Sequence, residues 1–181
     1  MLYPLSYGSG DPIVRDPEWL RLGRGTVGLV TMELEILLRV ALAALLGGAV
    51  GFDRERHNKP AGLRTHMLVA MGSAVFVGTG LLVLDQVLGD PETVRLDILR
   101  VTQAVATGIG FLGAGAIIRA GGTVRGLTTA AGIWVTAGIG LAAGLGQYWL
   151  AIGSTLLAVV VIGLLSGGFV PDARRRSRAD E

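Results

Sequence analysis

The stretch Gly51-Phe-Asp-Arg-Glu-Arg-His-Asn-Lys-Pro-Ala-Gly-Leu-Arg-Thr-His66 gathers four basic and two acidic residues in a chain otherwise dominated by apolar ones. Pro60 suits the first turn of a helix, and the free N–H groups of that turn, beside Lys59 and Arg64, make a spot that attracts anions. Arg119, Arg125, Thr128 and Thr129 add cations and hydroxyls suited to docking an acidic group. Gly108-Ile-Gly-Phe-Leu-Gly113 fits the dinucleotide fingerprint G-x-G-x-x-G, which needs a preceding strand and an acidic residue about twenty positions on. No acid follows until Asp172, so these glycines are assigned to helix packing. His57 and His66 stand nine apart, without a helical ligand spacing, and are expected at the surface rather than on a metal. There is no cysteine, hence neither disulfide nor thiolate site. No Ser/His/Asp set or carboxylate pair falls in a plausible pocket, so no catalytic residue, metal site or enzymatic activity is expected.

The elements that must carry these residues are transmembrane helices. Of 181 residues, 51% are hydrophobic and 17% charged, too apolar for an ordinary soluble domain. Five apolar runs, 34–52, 67–84, 101–118, 127–143 and 148–165, each approach the roughly 17–25 residues that a helix needs to cross the hydrocarbon layer. They show no period-2 alternation and lack a polar face, which excludes a barrel and a soluble bundle. The fold class is an all-α membrane protein, a compact bundle of about five transmembrane helices. Residues 1–32, rich in proline and glycine, read as a disordered leader preceding a native start at Met32. A transmembrane domain over 33–168 and a basic tail over 169–181 follow. Asp90-Pro91 reads as N-cap and first residue of the third helix, which places Asp97 and Arg100 to pair at i, i+3.

Basic residues of 53–66, 119–126 and the tail share one side, so the N-terminus is expected outside and the C-terminus in the cytoplasm. Helices in lipid associate through small residues. Ala43, Gly47 and Gly51 form one such stripe, and Gly140 and Gly144 another. Gly108, Gly110, Gly113 and Gly115 crowd the third span almost all round, which predicts a central helix. Arg39 lies on the first stripe with Glu35 one turn before it, either a snorkelling pair or an inward functional arginine. A path for divalent cations would want carboxylates near mid-membrane. The acids lie instead at the rims, leaving backbone carbonyls and the hydroxyls of Thr102, Thr107, Thr128, Thr129 and Thr136. The rim itself reads as either a surface for lipid headgroups or a dock for an acidic group on a regulatory partner.

Taken together, Gly51-Phe-Asp-Arg-Glu-Arg56, Lys59-Pro-Ala-Gly-Leu-Arg-Thr-His66, Arg100-Val-Thr-Gln103, Gly108-Ile-Gly-Phe-Leu-Gly-Ala-Gly-Ala-Ile117 and Val124-Arg-Gly-Leu-Thr-Thr-Ala-Ala-Gly-Ile-Trp-Val-Thr136 resemble the MgtC/SapB family of bacterial inner-membrane proteins. The resemblance covers about residues 33–146. It implies a polytopic membrane domain linked to growth at low magnesium, with no cofactor and with Mg²⁺ as candidate solute or signal. It further implies a regulatory role through a membrane partner such as the ATP synthase, with transport of Mg²⁺ or another small solute as the alternative. Homo-oligomers and contact with the lipid bilayer are compatible with it; nucleic acid is not implicated. Carried over residue by residue, the functional candidates are Asp53, Arg54, Glu55, Arg64, Thr65, Arg100, Arg125, Thr128 and Thr129. Asp53 is expected to bridge Arg64 or Arg125. Longer members carry a soluble domain after the last span, and residues 166–181 are expected to make this a short form.

Overall fold

The computed structural model describes residues 18–87, 91–120 and 123–166. The order is α1 (Glu18–Arg56), α2 (Leu63–Val87), α3 (Pro91–Ala116), β1 (Ile118–Ala120), β2 (Thr123–Arg125), α4 (Leu127–Gly144) and α5 (Tyr148–Ser166). Five helices match the five expected spans. Val30–Arg56, Leu63–Val83, Ile98–Ala116 and Leu127–Gly144 are long and apolar enough to cross a membrane, and α5 adds the shorter apolar segment Tyr148–Gly163. Large apolar side chains point outward, among them Leu38, Leu45, Phe76, Phe111 and Trp149. In water a surface like that would drive aggregation; in hydrocarbon it is the solvated face.

Three boundaries differ from expectation. Helix α1 starts at Glu18, inside the stretch read as a disordered leader. Between there and Thr31 the sequence has three glycines and no proline; each glycine costs about 1 kcal/mol, too little to stop a helix already propagating. Pro60 falls in the turn before α2 rather than in its first turn. That turn closes α1 through a Schellman motif: Asn58 takes φ 50°, its N–H donates to Glu55 O at 3.0 Å, and Lys59 N–H donates to Arg54 O at 3.0 Å. The segment after α3 is a hairpin, with Ala120 paired to Thr123. The dipeptide Gly121-Gly122 between them is the sequence signal for such a two-residue connection. Helix α3 begins at Pro91 as expected; residues 1–17, Asp90, the Asp97 side chain and the tail lie outside the described residues.

The central element is α4, which packs against α1, α2, α3 and α5. Contacts there are backbone-close. A Cβ built on Gly140 would stand 2.3 Å from Ala70 O, one on Gly144 2.9 Å from Ala74 Cα, one on Gly47 2.6 Å from His66 O and one on Gly51 2.8 Å from Leu63 Cα. Val40, Ala43, Val50, Ala70, Ala74, Ile139 and Ala143 fill the space between these contacts. The expectation of a central third helix fails: Gly108, Gly110 and Gly115 have nothing within 4 Å, and Gly113 reaches only Ala130 Cβ at 3.7 Å. Small residues permit close approach without demanding it, and α3 lies at the flank on α2 and α4.

Gly126 joins the hairpin to α4 at φ 89°, and a Cβ there would be 2.0 Å from Ala116 O. Gly126→Ala is therefore expected to cost more than about 1 kcal/mol from backbone strain alone. A lower melting temperature of the detergent-solubilised protein would register it; an unchanged one would contradict the geometry.

Candidate functional site

The last turn of α1, the first turns of α2 and the first turns of α4 converge at the end of the bundle that carries the hairpin. Arg54 turns inward and is 3% exposed. Its Nη2 donates to Thr129 Oγ1 at 2.6 Å, which ties α1 to α4, while its Nε is buried without a partner. Glu55 turns outward and accepts the Leu63 N–H at Oε2, 2.9 Å away. The carboxylate thereby caps the first free donor of α2 and favours the positive end of its dipole. A Cβ on Gly62 would lie 1.7 Å from that same oxygen, so this cap requires the glycine.

One turn further in, His66 is wholly buried. Its backbone rests on Gly47 and Gly51 of α1, and its ring faces Gly132 of α4. Nδ1 lies 2.9 Å from Gly62 O. A carbonyl only accepts, so Nδ1 carries the proton and the neutral ring presents a lone pair at Nε2. That Nε2 is buried and unpartnered. Thr136, also buried, donates to Gly132 O at 2.8 Å. Arg54, His66, Thr129 and Thr136 thus make a polar seam where three helices meet. His66 was expected at the surface. The expectation fails because α2 begins at Leu63, four residues before the apolar run, so that His66 joins the inward stripe of Ala70 and Ala74. That i, i+4, i+8 spacing was the legible signal.

The other candidates do not join this seam. Asp53 approaches His57, with Nδ1 3.4 Å from Oδ1, and the expected bridge to Arg64 or Arg125 is not formed among the described residues. Being next to the inward Arg54, Asp53 projects elsewhere on the helix. Arg64, Thr65, Arg125 and Thr128 are exposed. Arg56, also exposed, stacks over Phe52 at 5.5 Å from the ring centre. Arg100 is exposed near the opposite end, bordering a groove between α2 and α3 that Thr65 lines at the hairpin end. Arg39 closes that opposite end structurally. It pairs with Glu35 and donates to Gly144 O at 3.0 Å, satisfying a free carbonyl at the negative end of α4. Among the described residues, no three His, Asp or Glu side chains are grouped as a metal site would need.

A family model described as the MgtC family matches residues 40–167, from the buried face of α1 through α5. The chain belongs to the MgtC family. Three relatives are similar to about half of it. Protein SrpB of Synechococcus elongatus is 46% identical over 87 residues, covering 48% of this chain and 46% of that protein. The Escherichia coli K12 protein named "Putative magnesium transporter YhiD" is 44% identical over 87 residues, 48% of this chain and 40% of that protein. Protein MgtC of Brucella abortus strain 2308 is 45% identical over 80 residues, 44% of this chain and 30% of that protein. The match spans less than half of each of these relatives. No solved structure matches the chain significantly. Within this MgtC-family bundle, residues 40–167 include Arg54, His66, Thr129 and Thr136 of the polar seam.

Proposed function

We propose that this protein sits in the bacterial inner membrane, N-terminus outside, and supports magnesium homeostasis by regulating a membrane partner, without catalysis. One observation carries the reading. Arg54 is turned inward and tied to Thr129 across α1 and α4, and His66 and Thr136 bond to carbonyls of their own segments, whereas Arg56, Lys59, Arg64, Arg119 and Arg125 stand exposed around one end of the bundle. Fixed helix ends with free cations above them suit an acidic surface on another protein, which charge complementarity would steer to that end. Excess basic charge there also supports a cytoplasmic position for that end. The name of the E. coli relative favours a second reading, transport of Mg²⁺.

Mg²⁺ flux into liposomes containing the purified protein alone separates the two. Flux no greater than in empty liposomes, together with a partner recovered by crosslinking from wild type and reduced with Arg64→Glu and Arg125→Glu, is the expected result. Saturable flux by the protein alone would overturn the regulatory reading.

A further inference from the structure

The groove between α2 and α3 is unlike the rest of the bundle. It encloses about 1170 Å³, although both walls belong to helices that touch. At one end a Cβ on Gly80 would meet Val101 Cγ2 at 3.3 Å, whereas at Gly72 and Gly108 a Cβ would meet nothing within 4 Å. Those two glycines open the groove. Its walls are almost wholly apolar, with Leu68, Phe76, Val105 and Leu112 among them, and among the described residues Arg100 is the single charged side chain on its border. Arg100 falls in the first turn of the candidate span Ile98–Ala116, at headgroup depth. From Arg100 to Leu112 the helix rises about 18 Å, close to half of a hydrocarbon layer of about 30 Å. On α2 the lining runs from Val83 to Thr65, about 27 Å, so the groove follows nearly the whole hydrocarbon layer; its part from Arg100 past Gly108 matches one leaflet's acyl chains, with a cation where a headgroup begins.

We propose that this groove holds one anionic glycerophospholipid, its acyl chains against Gly72 and Gly108 and its phosphate on Arg100. A guanidinium binds a phosphate through paired charge-assisted hydrogen bonds, and basic sites between membrane helices recognise headgroups in this way. Flexible chains fit walls of uneven depth. A wholly apolar helix laid in the same groove would cover the apolar walls but bring no phosphate to Arg100.

Native mass spectrometry of the full chain in mild detergent tests this, with palmitoyl-oleoyl phosphatidylglycerol and the zwitterionic phosphatidylcholine of the same chains as probes. The wild type is expected to retain one phosphatidylglycerol in preference to phosphatidylcholine. Arg100→Gln should weaken phosphatidylglycerol retention about tenfold and phosphatidylcholine retention less, because the choline cation already opposes Arg100 at the phosphate that both lipids share. Gly108→Leu, which fills the groove from α3, should displace both lipids; Gly72→Leu fills it from α2 and serves if the first variant melts early. Equal retention of the two lipids with no effect of Arg100→Gln would overturn the proposal. So would unchanged retention in a folded Gly108→Leu or Gly72→Leu protein, or conversion of a dimer to a monomer by either without loss of lipid, which would make a second copy the occupant.

Discussion

Gly140→Val is expected to prevent α4 from seating between α1 and α2. The added Cβ would lie 2.3 Å from Ala70 O and 2.8 Å from Ala70 Cα. Both are backbone atoms of a facing helix, so no side-chain rotation relieves the clash. Overpacking a core costs typically about 1–3 kcal/mol; here two helix backbones must separate, which puts the cost at or above the top of that range. Because α4 is the element that all other helices touch, its displacement loosens the whole bundle. Size-exclusion chromatography after detergent extraction should show aggregation or loss of monodisperse protein. Gly138→Val two residues away, with nothing within 4 Å, is the control. A Gly140→Val protein as monodisperse and heat-resistant as Gly138→Val would contradict this packing.

The contrast between Gly140 and Gly108 shows what was legible. Spacing of four residues at Ala43, Gly47 and Gly51, and again at Gly140 and Gly144, identified contact faces that the structure confirms, because a single stripe on a helix can face only one direction. On α3 the small residues go all round, so periodicity carries no direction, and the inference to a central position had no physical basis. Arg54 was a different difficulty. In a run of Asp-Arg-Glu-Arg every charge looks alike in composition, and only the helix phase decides that residue 54 turns inward while 53, 55 and 56 do not. His66 was hidden by reading the helix start from apolarity; Glu55 lets α2 begin earlier by capping Leu63 from the neighbouring helix. Such a contact between α1 and α2 has no local signature.

Arg54 and Thr129 are expected to show a coupling that identifies the seam as more than packing. A guanidinium 3% exposed, with one hydroxyl acceptor and an unpartnered Nε, is a poor exchange for hydration, and removing one partner of such a pair costs more than replacing both. Thr129→Val deletes the acceptor but keeps the shape. Interhelical hydrogen bonds in membranes average about 0.6 kcal/mol with a maximum near 1.7; an orphaned cation puts this loss toward the upper figure, with a lower melting temperature, and Thr129→Ser should restore it. Arg54→Met keeps the volume and removes the charge, so it should be as stable as wild type or more so, and Thr129→Val added to it should have little further effect. That non-additivity is the signature of direct contact. Growth at low magnesium then separates the roles. If Arg54→Met keeps the fold and loses growth support, a residue costly to bury is retained for what it does rather than for what it holds. Full growth with a stable Arg54→Met protein would remove Arg54 from the functional residues and leave it as a fastening between α1 and α4.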